Sequence, residues 1–196
     1  MRYRSNEGEL IPIIVLILAN LLVFLTVNIS AIFFEFNLLP YLGLAAANVF
    51  AAPWILVTNW FTHADFWHVF ANMLTLYFFG SSLNRIAGTR YLLLTYFIGG
   101  AFADLFVILL SNPHALTIGA SGCVFALMGA LTMIAPRQQV YIFPIPAPIP
   151  LWAATIFGFL ILTLMPNVSW QGHLGGLLFG LLAGWYLRRK LKVIIY

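Results

Sequence analysis

The chain has 196 residues, 63% of them hydrophobic and only 7% charged, with a mean hydropathy of +1.00, a net charge of +4 and an isoelectric point near 9.5. So little polar surface cannot cover a soluble core of this size, which excludes a water-soluble globular protein and predicts an all-α, polytopic membrane protein. The basic balance needs no nucleic-acid partner, because the positions of the basic residues follow a membrane topology.

Six apolar stretches, each near or somewhat short of the ~20 residues that cross a hydrocarbon core, are candidate spans. They are Leu10–Ile29, Asp65–Leu83, Tyr91–Leu110, Thr117–Ala135, Pro150–Met165 and Trp170–Leu187, all within one membrane domain covering residues 1–196. The first follows Arg2 and Arg4 as a signal peptide would, but its apolar run is too long and no convincing small-residue cleavage site follows, so it reads as a retained helix. After it, residues 30–64 are apolar and aromatic but broken by Pro40, Gly43 and Pro53. This segment is expected to lie in the outer interface or to re-enter the bundle.

The second span carries His68 and Asn72, an i, i+4 pair that shares one helix face. Polar groups on an apolar helix should face the protein interior, either as a structural hydrogen-bonding pair or as part of a site. His63 is expected to be interfacial, and His114, in the short connection between spans three and four, solvated. Span three contains Gly99, Gly100 and Asp104, the one acid well inside a span, which must be protonated or partnered.

Span four opens with Thr117-Ile-Gly119-Ala-Ser121-Gly122-Cys123-Val-Phe125. A serine one turn inside a helix start lies near the positive end of the helix dipole, and the flanking glycines let another backbone come close. Taken alone, the pattern fits a small-residue packing face as well as a nucleophile. Cys123 is the single cysteine, so no internal disulfide or cysteine-cluster metal site is expected, and it reads as a packing residue. The connection from Pro136 to Pro150, with Phe143-Pro-Ile-Pro-Ala-Pro-Ile-Pro150, favours an extended path along the cytoplasmic interface. Span six begins Gln171-Gly-His173-Leu-Gly-Gly176-Leu-Leu-Phe-Gly180, and Gly172, Gly176 and Gly180 repeat every four residues as a close-contact face, with span four its expected partner.

The basic residues fall at the N-terminal tail (Arg2, Arg4), between spans two and three (Arg85, Arg90), after span four (Arg137) and at the C-terminal tail (Arg188, Arg189, Lys190, Lys192). Six spans put all these places on one side, which the positive-inside rule makes cytoplasmic together with both termini. Spans two, four and six then start at the outer face, which brings His68, Asn72, Ser121 and His173 to a similar depth, ~5–10 Å in at 1.5 Å per residue.

The Gly-x-Ser-Gly at Gly119–Gly122, the His-x-x-Gly-x-x-x-Gly at His173–Gly180 and the His63–His68–Asn72 spacing resemble the rhomboid family of intramembrane serine proteases, in its minimal six-helix form. The resemblance implies Ser121 as nucleophile and His173 as general base in a dyad without a carboxylate. It implies an oxyanion hole from His68, Asn72 and the Ser121 backbone N–H. Gly119, Gly122, Gly176, Gly180 and Phe125 would pack the helices at the site, residues 30–64 would form a partly embedded first loop, and span five with the loop after it would be mobile elements for substrate entry. The substrate implied is a single-span membrane protein, with lipid as the surrounding partner and no metal or other cofactor. Three departures stand out: Phe125 where many relatives carry tyrosine, Trp54 followed by Ile55 rather than arginine, and Asn84-Arg85-Ile86 in place of a glutamate–arginine motif. The competing readings are a catalytically inactive relative that binds membrane clients, a metal- or proton-handling transporter using His63, His68 and His173, and a purely structural helix bundle. No carboxylate accompanies those histidines, a poor match to usual zinc sets.

Overall fold

A computed structural model describes residues 10–141, 147–166 and 168–191 of the chain. Arg2, Arg4, Lys192 and the centre of the proline-rich connection, residues 142–146, lie outside the described residues. About three quarters of the described residues are helical, with one short antiparallel pairing of β1 (Gln139–Val140) and β2 (Ile149–Pro150).

Helix α1 spans Ile11–Phe34, five residues beyond the expected end, with Pro12 in its first turn where a missing N–H is harmless. It stops at Glu35, whose left-handed φ of 52° turns the chain, while Ser30 Oγ donates to the Phe36 carbonyl at 2.9 Å. The next segment folds into the short helices α2 (Leu39–Leu42) and α3 (Ile55–Thr58) and two 3-10 turns, Ala46–Asn48 and Asn59–Phe61. No arginine follows Trp54, and its indole N–H instead donates to the Tyr41 carbonyl at 2.9 Å, tying α3 back to α2.

The expected second span is helical throughout but not uniform. Helix α4 (Phe66–Thr75) is capped by Asp65, whose Oδ1 accepts the His68 N–H at 2.9 Å, a use of a short acidic side chain at an N-cap. It runs through a π-helical turn, Leu76–Gly80, into α5 (Ser81–Ala87). Gly88, with φ +90°, then reverses the chain into α6 (Thr89–Leu110).

Helix α7 occupies Ser121–Ile134, α8 Leu151–Leu164 and α9 Trp170–Leu191. The sequence predicts the fourth helix from Thr117, with Ser121 one turn inside. Instead Ser121 is the first helical residue, because Thr117 is paired with Leu44 through two backbone hydrogen bonds of 2.8 Å and Gly119 takes φ +119°.

Eleven of the fourteen residues of α7 are buried, which makes it the axis of the bundle. Around it pack Ile13 and Leu16 of α1, Val69 and Met73 of α4, Leu92 and Tyr96 of α6, Leu151 of α8 and Leu187 of α9. The outer faces carry the reverse pattern: Leu22 of α1 is 66% exposed, Phe33 74% and Leu164 of α8 86%. Only a lipid solvent makes such a surface favourable. Among the described residues two helices, Ile11–Phe34 and Thr89–Leu110, are long and apolar enough to cross a membrane; Ser121–Ile134 and Leu151–Leu164 are apolar but shorter.

Candidate active site

Two helix starts meet at the site. Ser121 begins α7 and His173 lies in the first turn of α9, and Ser121 Oγ is 2.8 Å from His173 Nε2. That distance suits a hydrogen bond from the hydroxyl to an unprotonated Nε2, the tautomer in which Nδ1 carries the proton. His173 Nδ1 is buried and has no protein hydrogen-bond partner among the described residues. A base so placed can take the serine proton, and a serine needs such a neighbour to become a nucleophile.

The spacing between α7 and α9 rests on small residues. A Cβ on Gly176 would strike the backbone of Gly122, one on Gly180 that of Ala126, and one on Gly184 that of Ala130. The two backbones therefore touch along three rungs, and the first rung lies beside both Ser121 and His173. Gly172 stands apart from this row: its missing side chain faces Val107 of α6, at 3.3 Å. Gly184, Ala126 and Ala130 extend the seam beyond the glycines singled out in the sequence; the same four-residue step, continued along both helices, would have marked them. The Phe125 ring lies over the His173 imidazole, with centroids 4.5 Å apart and planes inclined by 31°, and touches Phe159 of α8 edge-on. The ring holds the imidazole without a hydroxyl.

On the opposite side of Ser121 stands His68. A Cβ on Gly119 would lie 2.6 Å from His68 Nε2, so the imidazole sits against the glycine two residues before Ser121. Gly119 is thus not a helix-packing residue; it belongs to the loop before α7, where its positive φ and the nearby ring both require glycine. Asn72, one turn along α4, is buried, and its Nδ2 donates to the His68 carbonyl at 2.9 Å. The amide's second proton remains for another acceptor.

His63, expected at the interface, is 1% exposed. Its Nε2 faces the Ala120 N–H at 3.4 Å and its ring meets His68 edge-on, with centroids 4.9 Å apart. Burial, aided by the neighbouring His68, pushes this imidazole down from 6.5 to about 3. It is drawn inward because residues 35–65 fold over the start of α7 rather than lying flat. His114 is exposed. Among the described residues no three His, Cys, Asp or Glu side chains gather in a metal-binding group.

The partner of Asp104, unassigned from sequence, is the 3-10 turn at Asn59–Phe61. Asp104 Oδ2 accepts from Trp60 Nε1 at 3.0 Å and from Asn59 Nδ2 at 3.2 Å. Cys123 is buried with its Sγ against Gly100 of α6.

A family model described as "Rhomboid domain" matches residues 51–190. The chain is 28% identical over 151 residues to Rhomboid protein 1, mitochondrial, of Saccharomyces cerevisiae, covering 67% of this chain and 41% of that protein. It is 33% identical over 142 residues to RHOMBOID-like protein 12, mitochondrial, of Arabidopsis thaliana, covering 62% of this chain and 42% of that one. It is 27% identical over 140 residues to the putative rhomboid protease YdcA of Bacillus subtilis, covering 70% and 68%. The chain spans about two fifths of the length of the yeast and Arabidopsis relatives.

Proposed function

Because the chain belongs to the rhomboid family of integral membrane proteins, we propose that it is an intramembrane serine endopeptidase working through a Ser121–His173 dyad. The observation that carries this reading is the 2.8 Å contact between Ser121 Oγ and His173 Nε2, made where the starts of α7 and α9 meet. Ser121 Oγ attacks a substrate carbonyl while His173 Nε2 takes its proton; the tetrahedral oxyanion is met by the Ser121 N–H, His68 and Asn72. His173 then returns the proton to the leaving amine, and water, activated by the same imidazole, hydrolyses the acyl-enzyme. The start of α7 adds the positive end of its dipole where the negative charge develops.

The substrate on this reading is the single transmembrane segment of another membrane protein, cut near its outer end. The six expected spans form one domain, both termini face the cytoplasm, and the site opens to the extracytoplasmic side. The 14 residues of α7 rise only ~21 Å, which suits a helix beginning below the membrane surface with water reaching it from outside.

Fluorophosphonate labelling of the purified protein tests the proposal. The tag is expected on Ser121 and lost in both Ser121→Ala and His173→Ala, with cleavage of a model transmembrane substrate lost in parallel. Cleavage that survives Ser121→Ala but stops with EDTA would overturn the serine reading in favour of a metal site. Labelling without cleavage of any transmembrane substrate would favour the client-binding relative.

A further inference from the structure

Among the described residues, Asp104 of α6, 4% exposed, is a buried carboxyl that neither the dyad nor its oxyanion donors use. A carboxyl at this depth is costly unless partnered, and an apolar residue would avoid that cost altogether. Both of its donors are consecutive residues of one turn, and both reach the same oxygen: Trp60 Nε1 at 3.0 Å and Asn59 Nδ2 at 3.2 Å. The helix face is shaped for that turn. Gly100, one turn before Asp104, leaves room for the indole, since a Cβ there would lie 2.8 Å from Trp60 Cε2, and Phe97 flanks the ring with centroids 6.2 Å apart.

The turn leads directly to the site. The Asn59 carbonyl accepts the Gly119 N–H at 2.9 Å, and Gly119 presses on the His68 imidazole two residues before the serine. A continuous set of contacts thus runs from Asp104 through Asn59 to Gly119, and from there to His68 on one side and Ser121 on the other. We propose that Asp104 is a positioning residue: its carboxyl fixes the Asn59–Trp60 turn, and the turn fixes the backbone of residues 119–121 against His68 so that the oxyanion donors are aligned. Displacing that backbone changes how well the tetrahedral state is held, while the surface that receives the substrate helix stays the same. The inference rests on the serine-protease reading above.

The experiment compares Asp104→Ala, Asp104→Asn and Asn59→Ala in detergent or vesicles, well below each variant's unfolding temperature. Asp104→Ala is expected to lower kcat about tenfold with KM unchanged, a size typical of small misplacements of catalytic groups. Fluorophosphonate labelling of Ser121 should slow by a similar factor. Asp104→Asn, which keeps one acceptor oxygen, should fall between Ala and wild type. Combined with His68→Ala, the Asp104→Ala loss should be smaller than the product of the single losses, since both act on the same oxyanion. A purely structural role predicts otherwise: a lower melting temperature with wild-type kcat and labelling rate per folded molecule. That result overturns the proposal. Should Asp104→Ala fail to fold, Asp104→Asn and Asn59→Ala decide: slower labelling of Ser121 in both supports it, and wild-type rates in both overturn it. Wild-type protein that takes no label at Ser121 removes the protease reading and this inference with it; normal wild-type labelling with unaffected variants removes this inference alone.

Discussion

Helix α7 meets its two sequence successors in opposite ways. Against α9 it packs backbone to backbone, with Gly122, Ala126 and Ala130 facing Gly176, Gly180 and Gly184. Against α8 it makes a looser, side-chain contact: the Thr132 and Thr155 hydroxyls 2.7 Å apart, the Phe125–Phe159 edge, and little else of α8 buried beyond Leu151, Ala154 and Thr155. The seam carries the Ser121–His173 distance and has no side chain that can yield. The flank has only side chains, which can. One helix thus packs backbone to backbone on one side and leaves a separable neighbour on the other, the side on which the proposed function would admit a substrate helix.

The largest effect that would break this contrast is expected from Gly180→Val. The obstruction is the Ala126 backbone, with its carbonyl carbon and Cα 2.8 Å from the added Cβ, so the helices must part. Overpacking of this kind costs about 3 kcal/mol or more, and both cleavage and thermal stability should collapse. Ala126→Gly should not rescue it, because removing a side chain leaves the backbone in place; recovery in the double mutant would show that the seam is softer than described. Next comes Phe125→Ala, which removes the ring between His173 and the flank. Turnover is expected to fall about tenfold as the imidazole gains freedom. Phe125→Tyr should keep the wild-type rate, since the ring alone packs on His173. On the flank, Thr155→Val deletes one interhelical hydrogen bond worth about 0.6 kcal/mol. Its melting temperature should shift by a degree or two with turnover unchanged; a loss comparable to that of Gly180→Val would erase the distinction.

A further effect is in pH. His63 is held down to about 3 when folded against 6.5 when free, so the folded state disfavours its protonation. Its share of stability is complete above 6.5 and is lost as the pH falls towards 3. The melting temperature of the wild-type protein should decline through that window, and His63→Gln should flatten the decline. An unchanged slope in the variant would mean that His63 is not the buried group described.

Much of the site was legible because its parts are local patterns. The i, i+4 step joins His68 to Asn72, and the four-residue glycine step in α9 marks a close-packing face; both follow from helix geometry alone. The alternation of basic and apolar stretches delimits the helices in the same way. What stayed hidden was set by partners far along the chain. Asp104 lies 45 residues from Asn59, and Ala120 lies 57 from His63. No periodicity records such pairings, so the buried position of His63 and the late start of α7 emerge only once residues 35–65 fold over the bundle. Asn72 is a subtler case: its place on the inner face was readable, but the bond of its amide to the His68 carbonyl depends on a rotamer, which sequence spacing does not encode.

The π-helical turn at Leu76–Gly80 has a consequence for the length of the chain itself. A π turn accommodates one residue more than an α turn over the same rise, so it amounts to an insertion absorbed within a helix. Deleting a single residue between Leu76 and Gly80 would let α4 and α5 join as one regular helix with its two halves kept in their present phase, whereas the same deletion in the regular turns of α5 would rotate α4 by about 100°. With the end of α5 held by the bundle, only the second deletion would swing His68 and Asn72 away from Gly119, although neither residue had been touched. The register of the site is therefore counted from the α5 end of this helix, and the π turn is the place where one surplus residue is taken up without changing the count's phase.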